Sequence, residues 1–408
     1  MKRVVVTGMG VISPVGNDRE TFWRNISAGV CGIDFITKFD AADFKVKIAG
    51  EVKGFDPLNY MEKNEVRKAD LFTLYGLAAA AQAVEDSGIA GKAAPERLGV
   101  YLGSGVGGIN TLCSENEVLL TKGPKRVSPF FAPMMIINIL SGIVAIKYGA
   151  RGPCLPVVTA CSTSAHALGE AFRCIKHGYA DAVIAGGAEA AISPITVAGF
   201  TNCMALTQRN ESQNASIPFD RRRDGFVLAE GAGVMVLEEY GHAVRRNAKI
   251  YAELKGYGNT CDAYHITAPH PESAGTAAAI ALALEEAGAA EWQGLYVNAH
   301  GTSTPLNDKS ETAAIKKALG ERAYLAFVSS SKSMTGHMLG ATGAVEAMAA
   351  VLALKEGLVP PTIGYQEPDP ECDLNYVPNR ACRAELDLAL SINMGFGGHN
   401  ACLAFTKA

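Results

Sequence analysis

The sequence predicts an α/β protein, and three patterns support this prediction. Short runs of β-branched residues alternate with alanine-rich segments of helical length. Several of the short runs are continuously apolar, as expected for strands that are buried on both faces. Glycines follow most of the helical segments, where a left-handed residue commonly ends a helix. These patterns indicate buried strands covered by helices.

Strand and helix candidates alternate along the whole chain. The strand candidates are residues 3–6, 98–102, 155–159, 182–185, 233–237, 295–298, 326–329 and 401–405. The helix candidates are residues 71–86, 161–176, 273–287, 309–319 and 340–355, and the glycines that close the last four are Gly178, Gly288, Gly320 and Gly357. After a polar segment at residues 218–231 the strand pattern resumes, so we expect a division of the chain near residues 239–249.

Composition limits the class of protein. The 408 residues exceed the usual domain of about 100 to 200 residues, which predicts one large fold or two fused halves. Hydrophobic residues make up 48% and charged residues 19%, typical of a compact globular protein. With 37 Lys and Arg against 41 Asp and Glu the net charge is -4, so no general basic field attracts nucleic acid. An acidic partner would need a local basic patch.

The cysteines and the apolar segments predict a soluble cytoplasmic protein without a metal site. No two of the ten cysteines form a C-x-x-C pair, so no zinc or redox motif is predicted. Their thin distribution through apolar contexts is typical of reduced thiols in a cytosol. Thr7 and Gly8 interrupt the apolar start of the chain, which favours a first strand over a signal peptide. No apolar run reaches the length of about 20 residues that a membrane span needs.

Residues 103–108 carry the pattern Gly-x-Gly-x-x-Gly after a predicted strand. In dinucleotide-binding folds this pattern belongs to the first βα unit and is followed by an acidic residue about 20 positions later. Here it lies well inside the chain and is followed by Ile109, Asn110 and Thr111. A tight turn is therefore favoured over a nucleotide site.

Cys161 stands where a predicted buried strand gives way to a predicted helix. Free N–H groups and the dipole at a helix N-terminus stabilise a thiolate, so they are expected to lower the thiol pKa from its usual value of about 8.5. Such a turn also exposes the sulfur, as a nucleophile elbow exposes a serine. Most buried cysteines are inert, and this segment alone supports a nucleophile and a packing residue equally.

Two histidines stand in similar positions. His300 and His337 each lie in a small polar loop after a predicted strand, and in α/β sheets such loops are where ligands bind. One histidine alone is more often structural, but two in matched loops, with Cys161 in a third, indicate an active site. The glycine-rich loop at residues 395–398 could approach a substrate closely, with a plain hairpin turn as the alternative.

Together these segments resemble the β-ketoacyl-acyl-carrier-protein synthases, specifically the elongating type II enzymes. The similarity runs from residues 4–16 to the last strand, and its most specific pieces are residues 159–162, 297–305, 332–337 and 395–398. The resemblance implies a thiolase-like α/β fold with five layers, α-β-α-β-α, made of two similar halves. The N-terminal half would cover residues 1–248 and hold Cys161. The C-terminal half would cover residues 249–408, and the protein would normally be a homodimer.

The resemblance also implies the chemistry. Cys161 would accept the acyl group from an acyl carrier protein, and malonyl-carrier would then lose carbon dioxide. His300 and His337 would stabilise the resulting enolate as hydrogen-bond donors, and the backbone N–H groups of Cys161 and Phe396 would hold the oxyanion. The carbanion would attack the acyl group, as in fatty-acid chain elongation. No cofactor of its own is implied, because phosphopantetheine arrives on the carrier protein.

Further roles are implied by matching positions. Lys332 would support the histidine pair and bond to Glu346. The substrate would contact Thr302, Thr304, Val106 and Phe200, of which the threonines would hold the phosphopantetheine arm and the other two would line the acyl pocket. Phe396 would gate that pocket. Arg67 and Lys68 match a basic patch that would meet the acidic carrier protein.

Two positions depart from some relatives, and a third departs from many, although other members of the family share its histidine. Met204 replaces an arginine and Asn64 a lysine that contact the carrier, and His399 replaces a threonine. Two alternatives share the fold: a ketosynthase of a type II polyketide pathway, which uses the same residues, and a non-catalytic chain-length factor, which typically lacks the cysteine. Initiating enzymes pair the cysteine with one histidine and one asparagine, and thiolases recruit a second cysteine. The presence of both His300 and His337 favours elongation.

Overall fold

The structure is a computed structural model that describes residues 1–289 and 291–408. Its strands are β1 (Val4–Ile12), β2 (Asp34–Phe35), β3 (Ile48–Ala49), β4 (Leu98–Gly103), β5 (Cys154–Leu155), β6 (Ala182–Glu189), β7 (Gly231–Glu239), β8 (Ala252–Cys261), β9 (Leu295–Asn298), β10 (Phe327–Ser329), β11 (Leu358–Val359), β12 (Cys382–Arg383), β13 (Leu388–Gly395) and β14 (His399–Thr406).

The helices lie between these strands. They are α1 (Arg19–Ser27), α2 (Lys63–Val66), α3 (Leu71–Ser87), α4 (Ile109–Lys122), α5 (Phe131–Met135), α6 (Ile139–Tyr148), α7 (Thr163–Lys176), α8 (Pro194–Asn202), α9 (Ser212–Ala215), α10 (Tyr240–Arg245), α11 (Ala274–Ala287), α12 (Pro305–Leu319), α13 (Lys332–Thr335) and α14 (Thr342–Glu356). Among the described residues, no helix is both long and apolar enough to cross a membrane.

The main sheet consists of two five-stranded units with the same topology. The spatial order is β1-β7-β6-β4-β5 in the first unit and β8-β14-β13-β9-β10 in the second. Numbered along the chain within each unit, both orders read 1-5-4-2-3. In both units the first two pairings are antiparallel and the last two are parallel. Residues 4–6 pair with residues 252–254 and join the units at one edge.

Helices form the other three layers. α7 and α14 contact each other, and α14 also contacts β7 of the first unit and β13 of the second, so the two helices lie between the units. Every residue of α14 from Thr342 to Leu354 is buried. α3 packs on β1 and β7 from outside, and α11 packs on β8 and β14. The order of layers is α-β-α-β-α, which confirms the predicted α/β class and the five layers.

One predicted strand is wrong in length and in burial. The sequence predicted a buried strand over residues 155–159, but only Cys154–Leu155 pairs, and both residues are exposed. β5 is the outermost strand of its unit, so no further strand covers it. Val158 is 50% exposed, and the chain then turns directly into the segment of Cys161.

The strand β8 was absent from the strand candidates because charged residues and glycines separate its apolar positions. The structure shows why glycine stands there. A Cβ on Gly258 would meet the Ala279 carbonyl oxygen at 1.8 Å, and one on Gly256 would meet that of Ala283 at 2.0 Å. The missing side chains therefore let α11 pack directly against the backbone of β8.

Predicted helix α7 also begins later than expected, at Thr163, because residues 160–162 form a 3₁₀ turn.

Candidate active site

One cavity of about 570 Å³ brings together the loops that the sequence singled out. Its lining includes Cys161, His300, His337 and Phe396. His300 follows β9, Phe396 follows β13, and His337 follows β10 and the short helix α13. Because β13, β9 and β10 are parallel neighbours, the loops after them meet at the same edge of the sheet. Cys161 reaches this edge from the other unit, at the start of α7.

The turn that carries Cys161 is tight and strained. Ala160 has φ 51°, a left-handed conformation that is unfavourable for a residue with a side chain. Gly395 packs against this turn: a Cβ there would meet the Thr159 carbonyl oxygen at 2.6 Å and the Cys161 nitrogen at 3.3 Å. The backbone N–H groups of Cys161 and Phe396 both lie near enough to the Cys161 sulfur to act on the pKa of its thiol, and both lower it. The packing of Gly395 on the turn therefore brings two N–H donors to one thiol, one from the turn and one from the loop after β13.

The expectation of a lowered Cys161 pKa is wrong. Burial raises the pKa of the thiol to about 12, and the negative charge of Glu189 adds to that rise. The Lys332 charge and the two N–H donors act in the opposite direction, but burial is the largest effect. The thiol is therefore protonated at neutral pH.

His300 and His337 form a close pair of neutral rings. The ring centroids are 5.4 Å apart and the planes are nearly perpendicular, at 88°. Burial lowers the pKa of each ring well below 6.5, and the Lys332 charge lowers both further. The Thr342 hydroxyl lies 3.1 Å from His337 Nδ1, which leaves Nε2 as the other ring nitrogen for a ligand. Neutral imidazoles of this kind can donate hydrogen bonds without carrying a charge.

Lys332 connects the histidine loop to the central helix. The residue is 1% exposed, and its ammonium group donates to the His300 carbonyl oxygen and to the Glu346 carboxylate. Asn393 Nδ2 donates to the other oxygen of Glu346 at 2.7 Å. Burial raises the pKa of Glu346, whereas Lys332 and Asn393 lower it. A buried ion pair with these additional bonds holds the loop of His300 in place.

The predicted substrate-contacting residues lie in this cavity. Val106, Phe200, Thr302 and Thr304 are all part of its lining. The two threonine hydroxyls lie 3.0 Å apart, and the Phe396 ring, 38% exposed, stands 6.5 Å from that of Phe200. Apolar side chains and a few hydroxyl groups therefore line a space that leads to the thiol.

The predicted carrier-binding cations lie elsewhere. Arg67 and Lys68 are exposed just after α2 and are not part of the cavity lining. The Lys68 ammonium group stands 5.3 Å from the centroid of the Phe130 ring, which is itself partly exposed. Met204, by contrast, lies in the lining and is 84% exposed, so it stands at the mouth of the cavity.

Two buried carboxylates at the site were not predicted. Glu311 accepts the N–H groups of His300 and Gly301 at 2.6 and 2.7 Å, and burial raises its pKa to about 8. Glu189 accepts the Ser104 hydroxyl and the N–H groups of residues 105, 106 and 340. It therefore connects the glycine loop after β4 to the segment after His337. A glutamate that ends an apolar strand was the available signal for Glu189.

Within residues 1–289 and 291–408, no group of three or more His, Cys, Asp or Glu side chains has a geometry that could hold a metal ion.

Comparison with known proteins matches both parts of the chain. Residues 1–243 match the family profile "Beta-ketoacyl synthase, N-terminal domain", and residues 251–366 match "Beta-ketoacyl synthase, C-terminal domain". The chain is 50% identical to the 3-oxoacyl-[acyl-carrier-protein] synthase 2 of Synechocystis sp., over 100% of this chain and 98% of that protein.

Solved structures agree with this relationship. A β-ketoacyl synthase from Burkholderia phymatum superposes with a TM-score of 0.92 at 34% identity, over the full length of both chains. A second match is a type II polyketide synthase complex, AntDE:AntF, which contains an acyl-carrier protein with its ketosynthase. It superposes with a TM-score of 0.90 at 35% identity, again over the full length of both chains.

Proposed function

Because the chain belongs to the β-ketoacyl synthase family, we propose that it condenses an acyl group held on Cys161 with malonyl-acyl-carrier protein. The product is β-ketoacyl-acyl-carrier protein, and the pathway is fatty-acid chain elongation. One observation carries the proposal: a thiol with two N–H donors at its sulfur shares a cavity with two neutral histidines. The high identity to a 3-oxoacyl-[acyl-carrier-protein] synthase 2 supports it.

In the first step Cys161 takes the acyl group. Its sulfur attacks the thioester carbonyl of acyl-carrier protein, and the N–H groups of Cys161 and Phe396 stabilise the oxyanion. The bond between the acyl carbon and the carrier sulfur then breaks, and the new bond between the acyl carbon and the Cys161 sulfur remains. Because the thiol begins protonated, its proton leaves with the carrier thiol. The acyl chain then lies against Val106 and Phe200 in the cavity.

In the second step malonyl-carrier protein supplies the carbon nucleophile. The bond between the malonyl methylene carbon and its carboxylate breaks, and carbon dioxide leaves. The electron pair of that bond stays on the carrier-bound group, which becomes an enolate. Neutral His300 and His337 donate hydrogen bonds to its oxygen, while Lys332 and Glu346 hold the His300 loop. The carbanion attacks the acyl carbonyl, the bond to sulfur breaks, and the Cys161 thiolate takes up one proton. Thr302 and Thr304, which line the cavity, hold the phosphopantetheine arm.

The carrier protein is the proposed partner of the outer surface. Arg67 and Lys68 offer exposed positive charge to an acidic carrier, although they lie outside the cavity lining. Met204 adds an apolar side chain at the mouth where a charged residue would have strengthened electrostatic docking. The protein needs no cofactor of its own, and its free cysteines fit a reducing cytoplasm.

We also infer a homodimer. The edge strand β5 is exposed, and it continues into exposed Val158, while Ile136 and Ile146 expose further apolar surface on the preceding segments. An unpaired edge beside apolar surface is suited to pairing with a second copy. Sedimentation at micromolar concentration should give twice the mass of 42.8 kDa. The substitution Leu155→Lys places a charge in this edge strand and should shift the equilibrium toward the monomer. A parent protein that sediments as a monomer would refute the inference.

The decisive test of the reaction uses a panel of acyl-carrier proteins. The protein should transfer the acyl group to the peptide that contains Cys161, and addition of malonyl-carrier should release carbon dioxide and a chain two carbons longer. Peptide mass spectrometry gives the modified residue and the preferred donor length together. Acylation at a different cysteine, or none with any donor, would refute the proposal.

A polyketide ketosynthase is the alternative that a specific observation favours, namely the likeness to the ketosynthase of the AntDE:AntF complex. The panel separates the two by including saturated acyl and β-ketoacyl donors. Faster elongation of saturated chains supports fatty-acid synthesis, and faster elongation of β-ketoacyl chains supports a polyketide pathway. The presence of Cys161, His300 and His337 in one cavity argues against a non-catalytic chain-length factor.

A further inference from the structure

The two N–H donors at the Cys161 sulfur belong to separate segments of the chain. The Cys161 N–H lies in the 3₁₀ turn before α7, and the Phe396 N–H lies in the loop after β13. Two donors stabilise one oxyanion only when their spacing is held constant, and an error of about 1 Å can cost on the order of 100-fold in rate. Some contact between the two segments must therefore set this distance.

Two side chains next to Cys161 bridge the segments. Ser162 Oγ donates to the His399 carbonyl oxygen at 2.9 Å. His166 Nε2 lies 3.3 Å from the Asn400 carbonyl oxygen. Both carbonyls belong to β14, directly after the loop of Phe396. The bonds therefore tie the turn of Cys161 and the first turn of α7 to the strand that ends the Phe396 loop.

The other ring nitrogen of His166 contacts the residue that begins the same turn. Thr159 Oγ1 lies 2.7 Å from His166 Nδ1. A carbonyl oxygen can only accept, so Nε2 carries the hydrogen and Nδ1 accepts from the threonine hydroxyl. His166 is 3% exposed, and burial lowers its pKa to about 4, so the ring is neutral at pH 7 and keeps this tautomer.

We propose that Thr159, Ser162 and His166 form a clamp that sets the distance between the Cys161 and Phe396 N–H groups. They are positioning residues, since none of the three is part of the cavity lining: Thr159 and His166 bond to each other, and Ser162 and His166 bond to β14. Thr159 orients the ring, His166 holds β14, and Ser162 makes a second bond to the same strand. The claim that these N–H groups stabilise an oxyanion rests on the proposed function. The claim that the clamp sets their spacing at the Cys161 sulfur does not.

The test compares Thr159→Val with Thr159→Ser. Valine keeps the shape of threonine and removes the hydroxyl, which leaves His166 Nδ1 without its donor, whereas serine keeps the hydroxyl. The rate of Cys161 acylation by acyl-carrier protein should fall about 10- to 100-fold in the valine variant, with little change in KM, and the serine variant should stay within about 3-fold of the parent.

Two further measurements separate positioning from loss of structure. Carbon dioxide release from malonyl-carrier, measured in a Cys161→Ala background, should be unchanged by Thr159→Val because it depends on the histidine pair. Alkylation of Cys161 by iodoacetamide at pH 8 should slow in the valine variant alone, since the Phe396 N–H that stabilises the thiolate would be displaced.

Equal alkylation and acylation rates in all three proteins would overturn the clamp. An equal fall in carbon dioxide release and acylation would overturn it too, because that pattern indicates general disruption of the cavity. Failure of the parent protein to acylate Cys161 from any carrier would instead refute the proposed function. In that event the alkylation rates still decide whether the clamp positions the Phe396 N–H.

Discussion

Replacement of Cys161 by alanine is expected to abolish both acyl-enzyme formation and condensation. The sulfur is the atom that receives the acyl group in the proposed reaction, and the other thiol in the cavity lining, Cys203, lies in the outer part beside Met204. Loss of a nucleophile that works together with other groups typically lowers the rate by about 10⁴-fold or more. Condensation is measured as the release of elongated product, and acylation as the mass of the peptide that contains residue 161.

Cys203→Ala is the matched control for this change. Cys203 lines the same cavity, but it is exposed and its sulfur contacts the Phe200 carbonyl oxygen rather than a pair of N–H donors. Its replacement should leave acylation within a few-fold of the parent rate. Normal elongation by the Cys161→Ala protein would contradict the assignment of the nucleophile.

Replacement of His300 or His337 by alanine is expected to remove decarboxylation while acylation continues. In the proposed reaction each ring supplies a hydrogen bond to the developing enolate, and loss of one such donor costs about 100- to 1000-fold in rate. Acylation uses the N–H groups of Cys161 and Phe396 instead, so it should fall far less. Carbon dioxide release from malonyl-carrier measures decarboxylation, and the mass of the acylated peptide measures acylation.

His177→Ala controls for the loss of any histidine. His177 is exposed at the C-terminal end of α7, far along the helix from Cys161, and its replacement should change neither rate. An equal fall in acylation and decarboxylation in the His300 or His337 variant would argue for disruption of the cavity rather than a role in enolate stabilisation. Unchanged carbon dioxide release would exclude that role.

The α/β class followed from local patterns because they report burial directly. The continuous apolar run of β6 and the alanine-rich run of α3 are buried where the sequence predicted strand and helix. β8 was missed because its glycines carry no side chain to report burial, and the reason for them is the backbone of α11, which is distant in sequence. Local pattern cannot show a contact of this kind.

At the candidate site, too, some properties follow from local sequence and others only from contacts between distant segments. Local sequence identified the groups that could react, namely Cys161 at a helix start, His300 and His337 after strands, and a glycine-rich loop before His399. Tertiary structure alone decided their electrostatics, since burial raises the pKa of the Cys161 thiol against the local effect of its N–H donors. The tertiary structure also brings Glu189, Glu311 and Asn393 to the site, where each bonds to residues of another segment. Burial and donor geometry depend on packing between segments that are distant in the chain, so the residues next to a reactive group do not report them. The chemical type of a reactive group, by contrast, is known from the residue at its own position.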